Sequence, residues 1–428
     1  MILPMKFHHI FVWLTWLVAL TASARANLPS SAAEVDAGTM NHKLLLGYQG
    51  WFACPGDGSQ LNGWRHWFRR NDPVATNATV DFWPDVSELD SDELFPTQMT
   101  LPDGTPAKLY SAFNPKTVQR HFQWLQANQL DGVFLQRFGA ELSNPRLGAL
   151  RNQVTVNVQA GAEKFGRVFA IMYDISGQPT NSLVNTLTND WNFLAHTLHV
   201  TASPRYLQHH GKPVVALWGF GFSGRQDTPE QAQAVINHFK AVGCTVMGGV
   251  PAYWRTLNRD AQTNSAWAGV FRSFDVISPW SVGRYGDDAG ADAFCREVTA
   301  PDFAEAQRAG REYMPVVFPG FSWHNLNGGK LNQIPRRGGE FYWHQVYNAV
   351  ATGCPMIYSA MFDEVDEGTA MFPLAPTAAQ LPVQGAFVPL DRDGVKLPSD
   401  WYLRLANRAG QMLRGEIPLQ SRLPIKPR

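Results

Sequence analysis

The chain has 428 residues, with 36 basic against 36 acidic side chains and 45% hydrophobic residues. Zero net charge leaves no electrostatic footprint for nucleic acid or an anionic membrane surface. A charged fraction of only 17% argues against a disordered chain.

At the N-terminus, Lys6, His8 and His9 precede an apolar run over 10–20, followed by Ala22-Ser23-Ala24 and Ala24-Arg25-Ala26. That order predicts a signal peptide over 1–26, with an apolar region too short to span a bilayer comfortably. No second apolar stretch approaches membrane length, so the expectation is a secreted or periplasmic protein without membrane contact once the signal is removed. Four cysteines remain, Cys54, Cys244, Cys295 and Cys354. Export permits disulfides, but spacing does not choose among the three connectivities or exclude buried free thiols. None has zinc-ligand spacing, and no structural metal or cofactor is expected.

Eight apolar, β-branched or aromatic runs follow, at 44–51, 132–137, 167–173, 213–220, 244–254, 274–280, 314–323 and 355–362. Their cores are continuous (Val-Val-Ala-Leu, Met-Pro-Val-Val-Phe), as parallel strands covered on both faces require. Helices are expected between them. Asn114-Pro115 opens one, and Thr228-Pro229-Glu230-Gln231 has the form of a capping box for a helix that Gly243 can end. Others fall at roughly 147–164, 183–198, 290–310 and 337–352, and Ser399-Asp400-Trp401 caps a last helix to about Leu413. Eight alternations predict a single (β/α)8 TIM barrel over 27–415, with a frayed tail at 416–428. The first gap is about twice the others; its excess, 53–112, follows a strand and should roof the C-terminal face.

The eighth run ends in Phe362-Asp363-Glu364-Val365-Asp366-Glu367-Gly368-Thr369, four acids in five positions. On a helical turn Glu364 and Glu367 share one face, with Cβ atoms roughly 5–6 Å apart. Glycoside hydrolysis needs two carboxyls, and about 5–5.5 Å between them goes with retention. The other strand ends carry aromatic and polar groups that suit a sugar, with its C–H faces and hydroxyl rim. These candidates are Tyr48 and Trp51; Arg65, Trp67 and Asp85 in the long loop; Arg137; Tyr173 and Asp174; Trp218; Tyr253, Trp254 and Arg255; Trp280; Trp323 and His324; and Asp363 and Asp366 beside the pair. His66 and His324 read as hydrogen-bonding groups in preference to metal ligands. P-loop, Gly-x-Ser-x-Gly and Cys-x-x-Cys motifs are missing, which removes support for nucleotide, serine-hydrolase and thiol chemistry.

The Phe-Asp-Glu-Val-Asp-Glu-Gly-Thr segment resembles the Phe-Asn-Glu-Trp-x-Glu-Gly-Thr motif of glycoside hydrolase family 99, the endo-α-mannosidases. The run of strand-end motifs is similar to family 71/99-like proteins, some of which carry a xylosidase/arabinosidase label. The resemblance implies retention without a metal. Glu364 would be the base acting on the substrate 2-hydroxyl, giving a 1,2-anhydro sugar, and Glu367 the general acid. Here Asp363, Val365 and Asp366 replace Asn, Trp and a usually non-acidic residue. The extra acids should raise the pKa of a neighbouring Glu by like-charge repulsion, which suits the acid.

These readings converge on an exported retaining glycoside hydrolase acting on a neutral poly- or oligosaccharide. Two rivals remain in the residues themselves. One is a non-catalytic glycan-binding barrel; the other is a metal-dependent hydrolase using Asp363, Glu364, Asp366 and Glu367 as oxygen ligands. Sugar, linkage, endo or exo action and oligomeric state are not written in the sequence.

Overall fold

The computed structural model describes Met1 and residues 34–427. The expected signal peptide therefore lies, apart from Met1, outside the described residues. Eight parallel strands form the core: Leu44–Tyr48, Gly132–Phe138, Val168–Asp174, Lys212–Trp218, Thr245–Pro251, Val276–Trp280, a seventh in two pieces, Glu312–Tyr313 and Val316–Val317, and Ile357–Ser359. Neighbours in sequence are neighbours in space, and the eighth strand returns to the first with Leu44 opposite Ile357. Glu312–Tyr313 pairs with the sixth strand and Val316–Val317 with the eighth, so the seventh segment closes the ring. This is the (β/α)8 barrel that the sequence predicts.

The split has a local cause. Pro315 has no N–H to donate to a ladder. Met314 N–H still reaches Ile277 O at 2.9 Å, and Pro315 O accepts from Tyr358 N–H at 3.0 Å, so the chain switches partners across the proline.

Helices cover the barrel where capping signals place them. Asn114 accepts from Lys116 N–H at the head of Pro115–Ala127, and Asn144 does the same for Pro145–Phe165. Both halves of the Thr228/Gln231 capping box form at Pro229–Ala241. Leu183–His196 and Glu340–Ala351 fill two further gaps. Asp288–Phe294 runs through a π turn at Cys295–Thr299 into Ala300–Arg308. The last helix is Trp401–Leu413, but its expected cap does not form: Asp400 makes no capping bond and lies 3.9 Å from Arg404. The tail also departs from expectation. Ile417, Leu423 and Ile425 pack on the core, and Gln420 O accepts from the Trp343 indole, so buried apolar area holds down a segment whose prolines suggested fraying.

The long first loop contains a hairpin, Leu94–Thr100 with Pro106–Tyr110, that the sequence reading did not find. The loop crosses to the far side of the C-terminal face. There the buried Asp81 carboxylate accepts from the backbone N–H of His324 and Asn325, each at 2.7 Å, and from the Ser322 hydroxyl. All four cysteines are free thiols, three of them buried. No helix among the described residues is long and apolar enough to cross a membrane.

Candidate active site

The chain leaves the eighth strand at Ser359 and turns at 365–368. Glu364 O accepts from Thr369 N–H at 3.1 Å and Ala370 N–H at 3.0 Å. The Arg336 guanidinium donates to Gly368 O and Ala370 O at 2.8 and 2.7 Å, and Glu367 O accepts from Ser322 N–H at 3.0 Å. Gly368 has φ +68°, and a Cβ there would come within 2.7 Å of Ser322 N. Gly368→Ala therefore combines left-handed strain with a backbone clash. It is expected to lower stability by about 1–3 kcal/mol, read as a shifted urea midpoint at unchanged slope.

The four carboxyls have different surroundings. Asp363 accepts from the backbone N–H of Gln49 at 2.7 Å and of Gly50 at 2.9 Å, so both its oxygens join the eighth strand's exit to the first strand's. Glu364 accepts from the Gln49 side-chain amide at 2.5 Å and from the Thr369 hydroxyl at 2.8 Å. Half-buried Glu367 makes no side-chain hydrogen bond among the described residues. Asp366 is buried, 3.9 Å from His66 Nδ1.

Burial pushes the Asp363 carboxyl up to about 7 against the pull of its two backbone donors. Burial, then the charges of Asp366 and Asp174, pushes Glu367 up to about 8. Glu364 is also raised, by burial and then by Glu367 and Asp366. Like-charge repulsion and burial thus favour one shared proton on the two glutamates over two bare carboxylates. Gln49 and Thr369 both donate to Glu364 and nothing donates to Glu367, so the charge belongs on Glu364 and the proton on Glu367.

Raised folded-state values have a sign. Asp363 and Glu367 bind protons more tightly folded than unfolded, so their contribution is full below the ordinary carboxyl range and is lost as pH rises through about 7 to 8. The urea midpoint is expected to fall between about pH 5.5 and about pH 8.5, and Glu367→Gln should flatten that fall.

Aromatic and polar groups surround the pair. The Trp51 indole stacks on the His66 ring, centroids 3.8 Å apart at 7°, and on Phe138 at 5.0 Å. Arg65 donates to Glu141 at 2.7 Å; buried Arg151 donates to the other Glu141 oxygen, also at 2.7 Å, and to Gln49 O at 3.3 Å. Burial would raise Glu141, but the Arg151 charge and the His66 and Arg65 contacts hold it well below the usual carboxylate range. Trp218 meets Trp280 edge-on at 5.4 Å, and Trp280 lies 6.2 Å from Tyr358. Tyr358 accepts from Gln136 at 3.4 Å, and the charges of Glu364 and Asp174 both reach it. Buried polar atoms are nearly always hydrogen-bonded. Around these acids Gln49 Oε1, Trp51 Nε1, His66 Nε2, Gln136 Oε1, Trp218 Nε1 and Asp366 Oδ1 are buried without a hydrogen-bond partner among the described residues.

The structure thus gathers Trp51, Arg65, Asp174, Trp218, Trp280, Asp363 and Asp366 around Glu364 and Glu367, and adds Gln49, His66, Gln136, Glu141, Tyr358 and Thr369. Thr369 closes the quoted acidic segment and Gln49 follows the candidate Tyr48, but neither carried a local signal that marks it out. Other candidates point elsewhere. Tyr48 donates or accepts at His121 Nδ1, 2.8 Å away, in the core. Arg137 bonds Asp190, Asn152 and Thr155 in the helical layer, and the Tyr173 hydroxyl bonds the same Asp190. Trp254 and Arg255 both donate to Asp302, at 2.8 and 2.7 Å. Trp67 is buried against Phe52 with its indole N–H on Tyr110 O. Asp85 closes a local turn on Ser87 N–H, and His324 holds Gly329 O through Nδ1. Tyr253 lies beneath Arg259, 4.4 Å from the ring centroid, beside a cavity of about 440 Å³ away from the acids. Trp323 packs edge-on against Phe321 at 5.8 Å.

Among the described residues, two groups of ligand-type atoms converge: His209, His210 and Glu312, and Asp90, Asp92 and Glu93. Neither suits a metal. Met40 N–H donates to His209 Nδ1 at 3.2 Å, which puts the proton on Nε2, where it faces Glu312 at 2.6 Å. Lys116 and Arg120 take up the second group. The carboxylates at 363–367 do not converge, and those of Asp363 and Glu364 are occupied by donors of the chain itself.

No protein-family profile matches the chain, and no curated protein matches it in sequence. Solved structures do match in fold. Two structures of a family 99 endo-α-mannosidase from Bacteroides thetaiotaomicron, one with bis-tris propane, superpose with a TM-score of 0.62. The identities are 14% and 15%, over 88% of this chain and 99% of theirs. A glycoside hydrolase-like protein matches with a TM-score of 0.50 at 15% identity, over 80% of this chain and 98% of its own. This chain is therefore similar in its (β/α)8 fold to the family 99 endo-α-mannosidases.

Proposed function

We propose that the chain is an exported, retaining glycoside hydrolase of neutral poly- or oligosaccharides, acting through Glu364 and Glu367. The observation that carries this reading is the asymmetry of the pair: Glu364 has both oxygens held by donors, whereas Glu367 makes no side-chain hydrogen bond among the described residues, and burial with the nearby Asp366 charge favours its protonated form. That is a base and an acid three residues apart at the C-terminal end of a barrel strand, where this fold builds its sites. The fold likeness and the aromatic surroundings support it.

In the proposed reaction Glu364 takes the proton of the sugar 2-hydroxyl as O2 closes on C1. Glu367 gives its proton to the departing glycosidic oxygen as the C1–O bond breaks. Water then opens the 1,2-anhydro sugar at C1 and passes a proton to Glu367, while Glu364 returns its own to O2. Two displacements at C1 give retention.

Purified protein lacking 1–26, incubated with α-mannans, α-glucans, arabinans and xylans, is expected to release sugar from one of them with retained anomeric configuration. A substrate lacking the reacting 2-hydroxyl should resist. Binding without product on every glycan would replace this reading with the glycan-binding barrel.

A further inference from the structure

Residues 34–42 form a strap across the N-terminal end of the barrel, away from the acids. Its anchors stand just before barrel strands. Val35 N–H donates to Gly166 O at 2.9 Å, Ala37 O accepts from Gln208 N–H at 2.7 Å, and His42 N–H donates to Pro355 O at 2.7 Å. Between these anchors lies buried Met40, whose N–H has one acceptor among the described residues, His209 Nδ1 at 3.2 Å. His209 is itself buried, in a two-residue strand, Gln208–His209, antiparallel to the start of the fourth barrel strand. Its Nε2 faces Glu312 Oε2 at 2.6 Å, and Glu312 opens the first piece of the seventh strand. One imidazole thus joins the strap to the seventh strand, accepting on one nitrogen and donating on the other.

That arrangement works only for the neutral ring. Protonation puts an N–H on Nδ1, where it would face the Met40 N–H. The Thr39 hydroxyl oxygen, 3.4 Å from Nδ1, can accept the new proton's bond, whereas the buried Met40 N–H is left without an acceptor. The carboxylate that would pair with the cation is already in place. Glu312 Oε2 also meets His210 Nε2 at 3.1 Å; burial would raise Glu312, but His209 and then His210 hold its carboxyl below the usual range. The other charges around the ring are Lys212, opposite it in the hairpin, and Arg311 beside Glu312. Asp275 is taken by Lys240 at 2.7 Å, and Glu34 of the strap by Arg205 at 2.8 Å. We infer that His209 is a pH-operated latch: neutral, it holds the strap at Met40; protonated, it frees residues 38–41 and binds Glu312 as an ion pair.

The test is amide exchange at Met40 in the purified protein, corrected for the intrinsic rate, from about pH 7.5 to about pH 5.5, across the ordinary imidazole range. Protection at Met40 is expected to fall about tenfold on acidification, while Val35 and His42, whose acceptors are carbonyls, stay protected. His209→Asn places an amide oxygen near the Nδ1 position and should keep Met40 protected at both pH values. His209→Gln reaches Glu312 instead and should leave Met40 unprotected at both. Glu312→Gln removes the counter-charge and should move the transition to lower pH. Ring nitrogen shifts of the wild type give a check that needs no variant: Nδ1 should gain its proton over the range in which Met40 loses protection. Constant protection across the range, a protonated Nδ1 already at the upper value, or a wild-type-like loss in His209→Asn overturns the latch. None of these outcomes depends on the proposed function.

Discussion

Glu367→Gln is expected to lower kcat on the cleaved glycan by about 10²–10⁴-fold while KM changes little, because it removes a proton that matters only as the leaving group departs. Gln keeps the volume, so the fold and the turn at 365–368 should survive. A second readout separates a lost acid from general damage. The wild type should lose activity on the alkaline side with an apparent value of about 8 belonging to the pair, and that limb should vanish in the variant. An aryl glycoside with a good leaving group needs little protonation, so its cleavage should suffer far less. Wild-type rates, or equal losses on both substrate types, would remove Glu367 from the acid role. Glu364→Gln, by contrast, should be about equally slow on both, since the 2-hydroxyl still has to be deprotonated.

Asp363→Asn is expected to cost about 2–4 kcal/mol of stability and most of the activity, although Asp363 does not bind substrate in this reading. Each of its oxygens accepts a backbone N–H, from Gln49 and Gly50. The amide replaces one acceptor with a donor, so a buried N–H faces an N–H and loses its partner. The consequence spreads because Gln49 is also the residue whose side chain holds Glu364. Urea unfolding measures the first effect. Activity per folded molecule measures the second, and full activity in the folded fraction would contradict the positioning role.

The eight strands were legible because each is buried on both faces and therefore continuously apolar. The same property hides phase. In a strand neighbouring residues point to opposite sides, and only a polar-apolar alternation reveals which side is inward. Gln49, Gln136 and Asp174 point toward the acids, while Tyr48, Arg137 and Tyr173, one position away, point into the helical layer. Choosing the most aromatic or most charged residue at each strand end selected the outward member three times. Trp254 and Arg255 were misplaced for a different reason, as Asp302 arrives from a helix almost fifty positions later. The acid cluster itself was readable because no buried helical layer accommodates four carboxyls in five positions. The Asp81 fastening depends on partners 243 and 244 residues away and the docked tail on one 77 away, which local pattern does not encode.

The division of the seventh strand at Pro315 makes the ring mechanically uneven. Strands two to six are laced by long registers, whereas the wall that bears the acids is joined to its seventh-strand neighbour by only Val316 and Val317. The seventh strand's junction with the sixth is equally short, Glu312 and Tyr313 alone, so breathing of the barrel should concentrate on the two sides of the seventh strand, and the eighth strand would ride with the first. Because Asp363 and Glu364 are both tied to Gln49, opening the junction of the seventh and eighth strands moves the base together with the strand that orients it, and its hydrogen-bond donors travel along.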